Sequence, residues 1–215
     1  MTGAAPLLVA ATDDERLPRP DFAARMEALL AAGCPAVWLR SRALGGRDLL
    51  ALARDVAARC AAHGARLWVG ERADVAAIAR AHAVQLPERG LSVAGARRAA
   101  GRGIAVGRSV HSAEAALAAA REGADHLVVG TIFPSESHPG RAAASPALLS
   151  EARAALGASG ASVPLIAIGG MTPERAGQAL HAGADGVAAI RALWDAEDPA
   201  GVVRAFLAAL RRPAE

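Results

Sequence analysis

The chain has 215 residues and a mass of 21.7 kDa, and its 53% hydrophobic and 21% charged residues, with a mean hydropathy of +0.25, exclude a disordered polymer and suit one globular domain over residues 1–215. All 24 basic residues are arginine, which excludes reactions that need a lysine amine, namely Schiff-base aldol chemistry and pyridoxal-phosphate chemistry. With a net charge of only +3, scattered arginines and 3% aromatics, the composition argues against a nucleic-acid partner and for small anions.

Short β-like apolar runs alternate with longer Ala/Leu/Arg segments of helical period, and the alternation repeats eight times. Strands are predicted at Leu7 to Ala11, Val37 to Ser41, Arg66 to Gly70, Ala83 to Leu86, Ile104 to Val110, His126 to Thr131, Pro164 to Gly170 and Gly186 to Ile190. Helices fill the gaps. The first, Phe22 to Ala32, sets Phe22, Met26, Leu29 and Leu30 on one stripe, with Asp21 as its N-cap and Gly33 as its stop. Ser112 opens the fifth helix, Thr172 with Pro173 the seventh, and Asp198 with Pro199 the eighth. Cys34 and Cys60 lack disulfide or zinc-ligand spacing and read as buried, inert thiols. No stretch approaches the roughly 20 apolar residues of a membrane span, and Met1 to Pro6 shows no basic segment leading into a long apolar one. No membrane association and a cytoplasmic location are therefore expected.

Eight βα units in this length fit a closed (β/α)8 TIM barrel or an open doubly wound sheet, both of class α/β. The barrel is preferred, because Val9 to Asp14 lacks the glycines of a dinucleotide-binding turn and because Gly-Ala-Asp recurs at 123–125 and 183–185, each time between a helix and a strand. In such a barrel the reacting groups stand at the C-terminal ends of strands and in the loops that follow. That rule selects Arg40 after strand 2, Glu71 after strand 3, Gln85 on strand 4, Ser109 on strand 5, and the long Pro/Gly-bounded loop from Thr131 to Ser145 that carries His138. Arg40, in an otherwise apolar strand, is a candidate for bidentate pairing with a substrate carboxylate, or a partner for Glu71. Gly169 and Gly170 after strand 7 lead into a helix N-terminus, which suits phosphate. His111 is expected to organise a turn, and His63, His82, His126 and His181 are placed on the opposite face with no chemistry.

The phrases Gly107-Arg-Ser-Val-His-Ser112, Val84-Gln-Leu-Pro87, Gly130-Thr-Ile-Phe-Pro134, Ile166-Ala-Ile-Gly-Gly-Met-Thr-Pro173 and Ala182-Gly-Ala-Asp-Gly186 resemble, in order and spacing, the thiamine phosphate synthase/TenI family. The resemblance runs from about Leu7 to about Leu210. It implies a TIM barrel acting on the thiazole phosphate half of thiamine, with Gln85, Ser109, Gly169 and Gly170 among the ligand-binding residues. At Ile190-Arg191-Ala192 the chain departs from the Ser and Gly usual in the family's phosphate loop, so Arg191 either binds the phosphate itself or marks a decayed site.

Two branches of that family make different demands. Its synthases join thiazole phosphate to aminopyrimidine pyrophosphate and hold Mg²⁺ on aspartates after strands 3 and 4, where this chain reads Gly70-Glu71-Arg72 and Glu88-Arg89-Gly90. The glycine removes one carboxylate and Arg89 adds a positive charge beside it, which weakens an oxygen-ligand site. The TenI-type thiazole tautomerases, which aromatise a carboxythiazole phosphate by moving a proton, need no metal, and this chain looks closer to them. Their histidine after the strand 6 glycine is Thr131 here, and threonine is no base near neutral pH. The acid/base role therefore falls to His138, with Glu71 as second candidate. The expectation is a metal-independent tautomerase without cofactor, acting on a small phosphorylated thiazole. A Mg²⁺-using thiamine phosphate synthase and a catalytically silent phosphate-binding barrel are the alternatives, and a homo-oligomer is left open.

Overall fold

The computed structural model describes residues 8–134 and 144–211. Eight parallel strands close into a barrel in chain order: β1 (Leu8–Ala11), β2 (Ala36–Leu39), β3 (Arg66–Gly70), β4 (Ala83–Leu86), β5 (Ala105–Val110), β6 (His126–Val129), β7 (Leu165–Ile168) and β8 (Gly186–Ala189), with β8 pairing back onto β1. The helices are α1 (Phe22–Ala31), α2 (Gly46–Ala62), α3 (Ala73–Ile78), α4 (Val93–Ala100), α5 (Ala113–Arg121), α6 (Ala147–Ala158), α7 (Pro173–His181), α8 (Arg191–Trp194) and α9 (Pro199–Ala209). This is the (β/α)8 TIM barrel, with one addition. The four-residue α8 intervenes between β8 and the helix that Asp198 opens. No described helix is long and apolar enough to cross a membrane.

Strand alternation sorts the apolar residues into two cores. Outward-facing strand residues such as Leu8, Val37, Leu67 and Val84 pack against the buried stripes of the helices, including Phe22, Met26, Leu29 and Leu30 of α1. Inward-facing residues form a smaller cluster of Val9, Ala11, Ala36, Trp38, Trp68, Ala83, Val128, Ile166 and Ala188.

The helix starts follow from their caps. Ser112 accepts the Ala115 N–H at 3.1 Å, Thr172 the Arg175 N–H at 3.4 Å, and Asp198 the Gly201 N–H at 2.8 Å. Asp21 departs from expectation. It makes no cap bond, because Arg19 and Arg25 take its carboxylate at 3.1 and 2.5 Å. Gly33, at φ +92°, ends α1 as expected. The repeated Gly-Ala-Asp has a structural task. Asp125, just before β6, accepts the N–H of Val106 in β5 at 2.7 Å, and Asp185, just before β8, accepts that of Leu165 in β7 at 2.8 Å. Each aspartate thus satisfies the N–H of the strand one step back around the barrel.

Candidate active site

At the C-terminal ends of the strands lies a cavity of about 1050 Å³. Arg40, Glu71, Gln85, Ser109, Thr131, Gly169, Gly170, Ile190 and Arg191 all line it, so residues 151 positions apart in sequence share one space. His138 lies outside the described residues.

On the β2–β3 side, Arg40 continues the inward row of Ala36 and Trp38, and its guanidinium lies 4.8 Å from the centre of the Trp38 ring. Among the described residues no carboxylate hydrogen-bonds that guanidinium. Burial, and then the charge of Arg42, push its pKa down, while Asp13, Glu71 and Asp14 act on it only at longer range. Glu71 is thus an electrostatic neighbour of Arg40 and not a hydrogen-bonded partner. Its backbone sits at φ +60°, a conformation uncommon outside glycine, with its N–H donated to the Gln85 carbonyl at 2.9 Å. The loop bearing Arg42 is held by Asp14, which accepts from the Ser41 hydroxyl at 2.5 Å and the Arg42 N–H at 2.9 Å. Burial opposes ionisation of Asp14, yet these bonds hold its carboxyl below the usual range. Trp38 was not singled out from the sequence. Its Nε1 is the buried side-chain N or O atom that lacks a partner among the described residues, and the ring forms part of the cavity wall.

On the β4–β6 side the structure corrects the reading of His126. It is inward-facing and 5% exposed, and its Nε2 donates to Gln85 Oε1 at 2.8 Å. Gln85 Nε2 donates in turn to Ser109 Oγ at 3.1 Å. Burial pushes the His126 pKa down to about 4, so the ring is neutral near pH 7. The signal that was available is the glycine between them. Gly107 is the lateral partner of both Gln85 and His126, and a Cβ there would collide with Gln85 Oε1 and His126 Nε2.

His111 does organise its turn, with its N–H and Nδ1 on the Glu88 carboxylate at 3.3 and 3.0 Å. Arg108 supports the same loop from behind. It is 6% exposed and donates to the carbonyls of Pro87 and Leu91, each at 3.0 Å.

Around β7 and β8, Gly169 and Gly170 have φ of +103° and +59°. A Cβ on Gly169 would strike the Thr131 side chain, and one on Gly170 would come 2.5 Å from the Pro134 carbonyl oxygen. Both glycine carbonyls are engaged, Gly169 by the Phe133 N–H at 3.1 Å and Gly170 by Arg175 Nη1 at 2.6 Å. Asp195 also lines the cavity, but Arg16 and Arg19 bind its carboxylate.

No cluster of three or more His, Cys, Asp or Glu residues with metal-site geometry occurs among the described residues. After β3 Glu71 lines the cavity, after β4 Glu88 is engaged by His111, and Gly90 stands where the family resemblance places an aspartate. Cys34 and Cys60 are buried, and desolvation pushes their thiols up to about 11 and about 12, which makes them inert as expected.

Comparison with known proteins gives concordant matches. The family model described as "Thiamine monophosphate synthase" (TMP-TENI) matches residues 8–193. A "Thiamine-phosphate synthase" of Chlorobium luteolum is 38% identical over 204 residues, covering 94% of this chain and 92% of that protein. Another, of Thermobifida fusca, is 39% identical over 200 residues, covering 93% and 88%. Among solved structures, a "Thiamine phosphate pyrophosphorylase from Pyrococcus furiosus" superposes with a TM-score of 0.81 at 26% identity, covering 95% of each chain.

Proposed function

Because the chain belongs to the thiamine monophosphate synthase family, we propose that it is an enzyme of thiamine biosynthesis that joins thiazole phosphate to aminopyrimidine pyrophosphate. The observation that carries this reading is the 38–39% identity, along nearly the whole of both chains, to proteins named as thiamine-phosphate synthases. It displaces the tautomerase expectation, which finds no support among these relatives, in favour of the synthase alternative.

The chemistry of the cavity points the same way. In the condensation the ring nitrogen of the thiazole offers its lone pair to the methylene carbon of the pyrimidine. A C–N bond forms, the C–O bond breaks, and the electron pair leaves with pyrophosphate. No proton moves, so the reaction asks for no base at Thr131, where the family resemblance places the tautomerase histidine. The step does require positive charge near the leaving group. Arg40 and Arg42 supply it on the β2 side, and Arg40 has no competing carboxylate hydrogen bond among the described residues.

The phosphate of the thiazole falls to the opposite side, at Gly169, Gly170 and the turn through Ile190 and Arg191. With both glycine carbonyls engaged, the N–H edge of that turn is the one left for an anion. Gln85 and Ser109 lie between the two anion sites as neutral hydrogen-bonding groups. A volume of about 1050 Å³ accommodates two ring systems with their phosphates.

Mg²⁺ binds through one or two carboxylates plus substrate phosphate oxygens and keeps several waters, and Glu71 is the residue that fits this requirement. Bound there with pyrophosphate oxygens, the ion would neutralise charge on the leaving group. The test is release of pyrophosphate from aminopyrimidine pyrophosphate on addition of thiazole phosphate. Folded protein that releases none contradicts the proposal.

A further inference from the structure

Gln85, Gly107 and His126 are lateral partners on β4, β5 and β6, and all three positions face the barrel interior. Neighbouring strands lie about 4.8 Å apart, so the backbones of Gln85 and His126 stand roughly 10 Å from each other. Their side chains meet because Gly107 puts nothing between them. Ser109 is two residues further along β5, on the same face and nearer the cavity.

As the structure orients the Gln85 amide, Oε1 lies toward His126 and Nε2 toward Ser109, and this orientation gives the row one direction. An amide oxygen only accepts, so His126 Nε2 carries the hydrogen and donates to Gln85 Oε1. That anchors the amide with its nitrogen toward Ser109, whose oxygen accepts. The hydroxyl hydrogen of Ser109 is then left for the cavity. We propose that His126 is a positioning residue that fixes the polarity of the Gln85–Ser109 pair, so that Ser109 faces the bound substrate as a hydrogen-bond donor. Without His126 the amide can turn. Its oxygen would then take the Ser109 hydrogen, and the serine would face the substrate as an acceptor.

Two features hold the imidazole to this task. Trp68 covers it, with ring centroids 4.2 Å apart and planes inclined by 34°, and its burial keeps it neutral, so it neither rotates freely nor brings a charge under the site. Bonds running in one direction also polarise one another, which strengthens the terminal Ser109 donor. The ligand is a phosphorylated heterocycle that presents an acceptor atom to Ser109, and this identification rests on the synthase reading.

The experiment is a double-mutant cycle read as affinity for thiamine phosphate by calorimetry, with a ring-nitrogen NMR measurement beside it. His126→Phe keeps the ring packing and removes the donor. It should weaken binding about tenfold, and cost less than about twofold when Ser109→Ala is already present. Equal losses in both backgrounds would mean that His126 acts only as packing and would overturn the proposal. Should His126→Phe fail to fold, Gln85→Glu serves. Its carboxylate accepts from both neighbours, so it should reproduce the loss and again lose its effect beside Ser109→Ala; equal losses overturn the proposal here too.

In wild-type protein near pH 7, the ¹⁵N spectrum should show His126 as the tautomer protonated at Nε2, and the Nδ1-protonated tautomer would overturn the proposal. If wild-type protein does not bind thiamine phosphate at all, the synthase reading fails, and the tautomer alone decides the direction of the row.

Discussion

Arg16 grips Asp195 across the seam where β1 meets β8, with Nε on Oδ1 at 3.1 Å and Nη2 on Oδ2 at 2.5 Å. The contact ties the loop after β1, which carries the cavity residues Asp13 and Asp14, to the end of α8. Arg16 is 6% exposed, so its removal leaves a carboxylate whose main counter-charge is gone. Arg16→Met should cost about 2 kcal/mol in urea denaturation, below the full value for a buried pair because Asp195 keeps Arg19 and some solvent. A change below about 0.5 kcal/mol would show that the grip contributes little to closing the barrel.

The depressed pKa of His126 has a pH signature. Its folded value of about 4 lies below the ordinary 6.5, so the unfolded chain binds the proton more tightly. Stability from this group is complete above pH 6.5, falls as the pH drops from 6.5 toward 4, and is level again below 4. Between pH 8 and pH 5 the wild-type protein should lose about 2 kcal/mol that His126→Phe does not lose. Parallel unfolding curves for the two proteins over that range would contradict the assignment.

Gly107→Ala places a methyl group where Gln85 Oε1 and His126 Nε2 now meet. Backbone φ is not the obstacle there, so the cost is steric, about 2 kcal/mol, together with loss of the Gln85–His126 bond. Denaturation at pH 7 measures the first. The second appears as a rise in the His126 pKa by NMR if the ring swings toward solvent, and an unchanged stability would mean that the row has room to spare.

The barrel was legible in the sequence because each strand is an apolar run bounded by turn formers, and three of the four expected caps do cap their helices. The strand ends were read too long at β6 and β7, since Gly130, Gly169 and Gly170 continue an apolar phrase while turning the backbone away from the ladder. The cavity positions were legible as strand ends. His126 was missed because it begins its strand, where the rule for barrels expects structure; only the lateral pairing through Gly107 brings it under Gln85. Trp38 was missed because a tryptophan in an apolar strand reads as core, and its lack of a partner is visible only in three dimensions. The lean toward the tautomerase branch came from Arg89 and Gly90 at the metal positions and from a few shared phrases, with Thr131 against it, and the relatives that match along nearly the whole chain carry the synthase name instead.

Gly169→Val should lower affinity for thiazole phosphate about tenfold, because the side chain meets Thr131 and crowds the peptide edge left for the anion. Far-UV circular dichroism should stay that of a folded barrel. The dephosphorylated thiazole alcohol is the control, and its affinity should change little. Equal losses for both ligands would show that the turn shapes the cavity without holding the phosphate.

The central claim is that this cavity condenses two substrates. One preparation, followed by mass spectrometry, decides it: thiazole phosphate, aminopyrimidine pyrophosphate and Mg²⁺ in one tube, and carboxythiazole phosphate alone in another. The account predicts thiamine phosphate and stoichiometric pyrophosphate in the first tube, suppressed by EDTA and by Arg40→Met, with no isomerisation in the second. Isomerised carboxythiazole phosphate in the second tube, with no pyrophosphate in the first, would contradict it.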